Sequence, residues 1–595
     1  MKGAAYRIDG ALVARERFYQ VACDPARSVV VEACAGAGKT WMLVSRILRS
    51  LLDGLEPQQI LAITFTKKAA AEMRHRLMTW LADFADCPEA QRVQALVDRG
   101  LSPDQARARA PALGGLYERL LAGQQQVEIR TFHAWFSQLM RAAPLEVLQE
   151  LGLPPQAELV EDIEELKPRA WRQFLAALMQ DDMLRGDFEA LVRSRGRHTT
   201  QAWLLGVIDK RLEFELAELS GTLAASVPPA AELDRAFEGY EHPAERLRSA
   251  VVGPLLQRVA SALGRHAKAT AQKAGAALQQ ALERPDAVSA LCAAEAALFT
   301  KGELRKHLEA PELDEAVAFL RDIRRGVAQQ EAHLEHQRLS RLTRLLLAEY
   351  ARLKHARGLA DMSDLERCAL RLLGDHEVAG WLLERLDTRV RQVLIDEFQD
   401  TNPLQWQALS TWLSSYAGAG GGGSGQRPPG VFIVGDPKQS IYRFRRAEPR
   451  VFEAAKQLVV HGLGGAVLAC DHTRRNAPAV LDALNAVFDS AQAEGRYTDF
   501  RSHTTEVDPA AAAGLVAAIE RVERPAKAAR AEAASGWRDS LSTPRREPEV
   551  LLKLEEARRV AAHIAQLVRG EGWRPSEIFV LSRRRAQLRL VGEAL

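Results

Sequence analysis

Short apolar runs rich in β-branched residues recur far apart along the chain: VVV (29–31), ILAITF (60–65), VLID (393–396), VFIVG (431–435), AVLAC (466–470) and IFVL (578–581). Each is bounded by polar residues or glycine, the pattern of strands buried on both faces. Helical periodicity follows several of them. In KKAAAEMRHRLMTWLADF, Met73, Leu77, Trp80 and Leu81 fall on one face. Strand–helix alternation of this kind predicts an α/β chain built on a doubly wound parallel sheet.

The strand signal nearly vanishes between about 137 and 355, where Ala, Leu, Arg and Glu dominate, as in HRLSRLTRLLLAEYARLKHARG (336–358). A large all-helical insertion is predicted there. AGAGGGGSGQRPPG (417–430) reads as a flexible loop between two strands. Residues 520–548 are polar and charged, a surface excursion. The chain closes on RRRAQLRLVGEAL, in the helix expected after IFVL, so the second sheet reads as unfinished and the chain as the N-terminal part of something longer.

Composition changes this picture little. Lys+Arg total 80 against Asp+Glu 77, a net charge of +3, so any nucleic-acid surface must be local. None of the six cysteines forms a CxxC pair, which excludes zinc-ribbon and iron–sulfur spacings and suits a reduced, cytoplasmic setting. The N-terminus has no secretory core, and no apolar run approaches the ~18–20 residues that span a bilayer, so no membrane role is expected.

The chemistry gathers at the ends of the strands. Ala33, Cys34, Ala35, Gly36, Ala37, Gly38, Lys39 and Thr40 follow a strand and open a helix, the context of a P-loop. Glycines let backbone N–H groups point inward at phosphate, Lys39 adds charge near the β/γ-phosphates of ATP, and Thr40 offers a hydroxyl to Mg²⁺. Ala33 stands where the general pattern has its first glycine. In VLIDEFQDT (393–401), Asp396 is the second Mg²⁺ ligand and Glu397 the general base aimed at water, with Asp400 a turn or cap residue. In VGDPKQSIYRFRRAEP (434–449), Gln439 can sense γ-phosphate. Tyr442 and Phe444 alternate with Arg443, Arg445 and Arg446, the pairing of stacking rings and cations that holds single-stranded nucleic acid.

ACAGAGKT, ITFTKKAAAEM (63–73), RTFHAWF (130–136), VLIDEFQDT and GDPKQSIYRFRRA, in that order, resemble successive motifs of superfamily 1 DNA helicases of the UvrD/Rep type. GDPKQSIYRFRRAEPRVF, the helical insertion, the spacer EYARLKHARGLADMSDL (349–365) and the non-glycine entrance Ala33-Cys34 resemble the AddA and RecB branch of helicase–nuclease complexes. The resemblance covers roughly 15–80, 128–140, 345–490 and 550–595. It implies two RecA-like domains, with ATP in the cleft between them and 3′ to 5′ movement on single-stranded DNA in double-strand-break repair and recombination. It further implies binding of duplex DNA ends, an AddB-like or RecC-like partner, and a cytoplasmic, nucleoid-associated location.

The implied organisation is a first RecA-like domain in three parts (1–80, 128–140 and 346–460), a helical insertion in two (81–127 and 141–345), and the start of an incomplete second RecA-like domain (461–595). The resemblance makes Thr64, Phe65, Thr66 and Lys67 strand contacts, with Phe132 and His133 beside the same strand and Phe444 and Tyr442 stacking on bases. His133 taken alone also reads as a core histidine. Arg475 becomes the arginine finger, and Arg474 takes the place of an adenine-stacking aromatic, although the two could exchange roles. Gln20 is the candidate adenine-reading glutamine, about two residues closer to Lys39 than the family spacing. No GxxD…DxK pattern occurs, so nuclease chemistry of that type is not expected in these residues.

Three further features carry less. His333 and His336 form a lone HxxH, read as a solvated helix face. RSRGRH (193–198) is a basic cluster that either touches duplex DNA or is a solvated loop, and Arg583–Arg585 either contact phosphate or are solvated.

Overall fold

The structure is a computed structural model that describes residues 6–124, 126–306, 308–374, 390–414, 428–443, 446–523, 539, 541 and 548–595. Phe444 and Arg445, residues 417–427 of the glycine-rich loop, and most of 524–547 lie outside the described residues. Two compact units emerge. The larger holds Ile8–Glu32 and Lys39–Leu468; the smaller holds Ala33–Gly38 and Ala469–Leu595, with Tyr6 and Arg7.

The main sheet contains β1 (Tyr6–Ile8), β2 (Ala11–Leu12), β3 (Val29–Ala33), β4 (Ile60–Thr64), β5 (Glu128–Thr131), β6 (Gln392–Ile395), β7 (Gly430–Gly435) and β8 (Ala466–Cys470), in the order β2-β1-β8-β3-β7-β6-β4-β5. The pairs β3–β7, β7–β6, β6–β4 and β4–β5 are all parallel. Val30, Ile63, Ile395 and Ile433 are fully buried, each contributing roughly 1.5–3 kcal/mol of apolar burial. The apolar runs therefore mark true core strands. β5 escapes that pattern because Glu128 and Arg130 alternate with buried Ile129 and Thr131 on an edge strand. Thr64 pairs opposite Thr131, and Ile395 opposite both Ile63 and Ile433. The carboxyl ends of β4, β5, β6 and β7 thus share one edge, the edge where parallel sheets place their ligands.

The insertion is mainly helical, as its composition predicts, but not all-helical: Glu158–Val160 pairs in parallel with Leu359–Asp361, and Phe299–Thr300 pairs with Glu303–Leu304. A 44-residue helix, Leu313–Ala356, runs through it and serves two cores. Leu320, Ile323 and Val327 pack with the helices Val252–Gly264, Ala269–Leu282 and Ala287–Leu298. Leu342, Leu346 and Tyr350 pack with Lys167–Leu178, Asp182–Arg195 and Arg197–Ile208.

His333 and His336 are not a solvated face. His333 Nδ1 lies 2.6 Å from the Val227 carbonyl and His336 Nε2 2.8 Å from that of Leu223, so the two rings hold the 223–227 segment on the long helix. Carbonyls from a distant segment claim what sequence spacing leaves open. Arg195 of the RSRGRH cluster pairs with Glu335 at 2.9 Å.

A buried ionic cluster fixes the insertion to the sheet domain. Arg211 contacts Asp361 and lies 2.9 Å from Asp364, Lys354 contacts Asp364 and lies 3.1 Å from Asp361, and the Tyr350 hydroxyl donates to Asp361 at 2.7 Å. All five side chains are buried. Burial pushes the Asp361 carboxyl up, but Arg211 and Lys354 outweigh it and hold it well below the usual carboxylate range. Two cations and two carboxylates balance. Arg211→Ala leaves two buried aspartates facing one lysine and is expected to cost about 3–5 kcal/mol, read by chemical denaturation; a loss below about 1 kcal/mol, the scale of exposed pairs, would contradict the network.

In the smaller unit, His472–Thr473 pairs in parallel with Thr504–Thr505, and the helices Pro478–Ala493, Pro548–Gly570 and Arg585–Ala594 follow. The strand expected at 578–581 is absent. Phe579 and Leu581 are 84% and 90% exposed, and no described strand pairs with the segment. A strand exists through its ladder partners, and apolar content alone does not make one.

Candidate nucleotide and nucleic-acid site

In the smaller unit, β3 runs out at Ala33 and the loop turns through left-handed Gly36 (φ +77°) and Gly38 (φ +89°). The Cys34 N–H donates to the Cys470 carbonyl and the Arg474 N–H to that of Gly36. A Cβ on Gly36 would come within 2.4 Å of Thr473 Oγ1 and 2.7 Å of Arg475 Cβ, so the loop closes on the 473–475 segment only with glycine. Arg474 Nε pairs with Glu506 at 2.9 Å. Arg475 is exposed and forms no ion pair among the described residues, its N–H bonding Thr473 Oγ1 at 3.2 Å.

In the larger unit, Lys39 opens the helix Lys39–Leu52, which places Lys39 and Thr40 at the positive end of the helix dipole. Lys39 Nζ lies 3.3 Å from Glu397 Oε2. Asp396 follows β6 and is buried; Glu397 comes next in a left-handed conformation (φ 49°, ψ 44°), and its N–H donates to Asp396 Oδ1 at 3.0 Å. Gln399 Nε2 donates to Glu397 Oε2 at 2.7 Å, while Gln399 Oε1 accepts the Asp436 N–H at 2.9 Å. Asp436 Oδ2 in turn accepts from Gln439 Nε2 at 2.7 Å. Hydrogen bonds thus run unbroken from Glu397 to Gln439. Gly435 permits this, since a Cβ there would meet Gln399 Oε1 at 2.5 Å.

Gln399 and Asp436 are site residues that the motif pattern did not single out. Their signal was present: both are polar residues inside the quoted motifs, at positions the fold buries.

Burial, then the charge of Glu397, pushes the Asp396 carboxyl up to about 7 and that of Asp400 up to about 6. With its folded value above its ordinary value of 3.8, Asp396 favours the ligand-free fold most below about pH 4, and that contribution fades as pH rises to about 7. A divalent cation needs the carboxylate. The Mg²⁺-dependent gain in nucleotide affinity is therefore expected to fall about tenfold per pH unit below 7 and to level off above it. Titrating nucleotide with Mg²⁺ and with EDTA, corrected for the nucleotide's own phosphate, checks this; a pH-independent gain would contradict it. The Thr40 hydroxyl and the Asp396 carboxylate are donors that suit Mg²⁺, which takes few protein ligands and completes its shell with other oxygens and water. Among the described residues no cluster of three or more His, Cys, Asp or Glu could hold a metal by itself.

A groove of about 880 Å³ adjoins this site. Thr64, Phe65, Thr66, Lys67, Phe132 and His133, all expected as strand contacts, line it together. Phe65 packs on Tyr442 with ring centroids 4.7 Å apart. Thr66 caps the helix Lys67–Asp86 through the Ala69 N–H, and Thr131 caps Phe132–Arg141 through the Ala134 N–H, so two helix N-termini border the groove. Lys67 pairs with Glu161, both exposed. Phe132 is 5% exposed and belongs to the hydrophobic core, packing on Phe136. His133 lies 3.5 Å from buried Glu366, which also accepts from Asn402 at 2.7 Å and Gln405 at 3.1 Å. Burial raises the Glu366 carboxyl, but His133, Asn402 and Arg446 outweigh it and hold it below its ordinary value.

Arg446 also lines the groove; it pairs with Glu213 at 3.0 Å and Glu366 at 3.6 Å and donates to the Asp209 carbonyl. Asp400 sits in the tight turn Phe398–Asp400, in keeping with its reading as a turn residue; it is also buried and lines the groove. Gln20 is exposed on the helix Arg15–Ala22 and accepts from Arg17 at 2.6 Å.

With a parallel-dominated sheet flanked by helices the protein is α/β; a loop with two left-handed glycines follows β3, the Asp396–Glu397 pair follows β6, and Gln439 follows β7. The UvrD/REP helicase N-terminal domain family model matches residues 15–459, and the chain belongs to that family. It is similar to the ATP-dependent helicase/nuclease protein AddA of Levilactobacillus brevis, 28% identical over 506 residues, covering 78% of this chain and 37% of that protein. Proteins of the same name from Listeria monocytogenes (26% over 511 residues, 78% and 38%) and Exiguobacterium sibiricum (25% over 506 residues, 77% and 38%) are also similar. The chain spans less than two fifths of the length of these curated relatives. No helix among the described residues is long and apolar enough to cross a membrane.

Proposed function

We propose that this chain is the motor portion of an ATP-dependent DNA helicase that moves 3′ to 5′ on single-stranded DNA, acting on DNA ends in double-strand-break repair and recombination. The observation that carries the reading is the hydrogen-bonded chain Glu397–Gln399–Asp436–Gln439 beside a groove lined by Phe65, Thr66 and His133. Residues 33–38 and the N–H groups that open the Lys39 helix cradle the phosphates of ATP, and Lys39 neutralises the β/γ charge. Thr40 and Asp396 hold Mg²⁺, which when bound neutralises charge on the transferred phosphoryl group. Glu397 takes a proton from the attacking water, and Gln439 senses the γ-phosphate. Arg475 supplies charge in the transition state. Gln20 and Arg474 are assigned to the adenine, and Phe65, Tyr442 and Phe444 to bases of the strand.

The family match and the relatives' name, which makes each of them one component of an ATP-dependent helicase/nuclease, support this reading and an AddB-like or RecC-like partner. A cytoplasmic, nucleoid-associated location goes with it. The domain organisation is proposed as two RecA-like domains, the second begun after 460.

The test is the ATPase rate with and without single-stranded DNA. Stimulation is expected, and Lys39→Ala should abolish turnover while circular dichroism shows an unchanged fold; normal turnover in that variant would sink the site assignment. A second reading applies to these residues taken alone: ATP and strand binding without productive unwinding. The exposure of Phe579 and Leu581, in a segment that pairs with no described strand, favours it. Strong DNA stimulation of this chain would defeat that second reading.

A further inference from the structure

The helix Phe132–Arg141 divides its residues between two environments. Phe132, Trp135, Phe136, Leu139 and Met140 are buried in the core beneath the sheet. His133, Ala134, Ser137 and Arg141 line the groove instead. His133, Ser137 and Arg141 fall four residues apart, the spacing that sets side chains above one another on one face of an α-helix. A groove lined by successive turns runs along the helix and not across its end. From His133 to Arg141 it follows the axis for about 12 Å, with about 6 Å between neighbours in the stripe.

Charge sets this stripe apart from the rest of the lining. Lys67 pairs with Glu161, and Arg130 with Glu128. Arg446 pairs with Glu213 and Glu366, and buried Arg211 with Asp361 and Asp364. Arg141 is exposed, lines the same groove and forms no ion pair among the described residues. The Ser137 hydroxyl has no hydrogen-bond partner among them either, and its oxygen is not sealed from solvent. A guanidinium already held by a carboxylate has little charge left for a second partner, whereas a free one offers its full charge and its full set of donors. The negative end of the helix dipole favours a cation anywhere around the last turn; only the groove-facing position gives Arg141 a ligand to meet. Phosphate is the group that a nucleic-acid strand presents at a regular step, and guanidinium and hydroxyl both donate to it. Phe65, packed on Tyr442, lines the same groove and offers its ring to a base.

We propose that the helix Phe132–Arg141 is a rail for the strand backbone: Ser137 donates its hydroxyl to one phosphate of a single strand in the groove, and Arg141 its guanidinium to the next. His133, one turn earlier, lies on the same line. Neither new contact reads a base, so the rail holds a strand of any sequence. The inference rests on the function proposed above, and its test tells the two apart.

The measurement is the affinity of the whole chain for fluorescein-labelled oligodeoxythymidylate over a series of salt concentrations. On a single strand, the logarithm of affinity falls with the logarithm of salt with a slope of about 0.7 for each phosphate neutralised. Arg141→Gln is therefore expected to make the slope shallower by about 0.7. Arg141→Lys keeps the charge and should keep the wild-type slope. Ser137→Ala removes a neutral donor, so affinity should fall roughly 2–10-fold at every salt concentration with the slope unchanged. A wild-type slope in Arg141→Gln, a slope that Arg141→Lys does not restore, or wild-type affinity in Ser137→Ala overturns the inference; ATPase stimulation by the same strand then leaves the functional proposal standing. A wild type that binds no strand at any salt concentration overturns both.

Discussion

Glu397→Gln is expected to bind ATP tightly while hydrolysing it about 10²–10⁴-fold more slowly, the usual contribution of a general base. The carboxylate is held from two sides, by the Gln399 amide at 2.7 Å and the Lys39 ammonium at 3.3 Å. Its side chain is nevertheless 38% exposed, open enough to meet a water. The left-handed backbone at Glu397 turns the chain sharply after β6, so that Asp396 is buried at the strand end while Glu397 stays accessible. Glutamine preserves the shape and the contact with Lys39 but cannot take a proton. Single-turnover hydrolysis and fluorescent-nucleotide binding measure the two effects separately. Loss of nucleotide binding in this variant would show that Glu397 holds the nucleotide instead of activating water.

Arg475→Ala is expected to lower the hydrolysis rate by about 10³–10⁵-fold, the range for an arginine finger, and Arg474→Ala to lower it far less. The sequence left the two free to exchange, and their contacts distinguish them. Arg474 is engaged by Glu506, which also lies 3.6 Å from His472. Arg475 is exposed, and its Cβ packs where a side chain on Gly36 would have to go. A transition-state contact requires a guanidinium that is not already neutralised. Rates measured at saturating ATP and single-stranded DNA for both variants decide the matter. A larger loss in Arg474→Ala would reverse the roles.

The strands at 29–33, 60–64, 392–395, 430–435 and 466–470 were legible because a strand buried on both faces must be apolar throughout. The strand at 128–131 was harder to read, because an edge strand alternates, and the run at 578–581 misled, because hydrophobicity without a ladder partner does not make a strand. Lys39, Asp396, Glu397 and Gln439 stood out as short strings, and the structure sets Lys39 beside Glu397 and joins Glu397 to Gln439 through Gln399 and Asp436. Gln399 and Asp436 lay inside the same strings unnoticed, since nothing local shows which polar side chain the fold will turn inward.

What the sequence determined by itself is local: the strand–loop–helix units, their order, the helical insertion and the residue types at each strand end. Each depends on periodicity or on a few adjacent residues. The tertiary structure alone decided the pairings over long separations. It joined Arg211 to Asp361 and Asp364, His333 to the Val227 carbonyl, and Arg446 to Glu213. It also brought Asp400 into the groove with Phe65. Burial and pairing depend on which distant groups the packed sheet and helices bring within about 3 Å of one another, hydrogen-bond distance, and spacing along the chain carries no record of that.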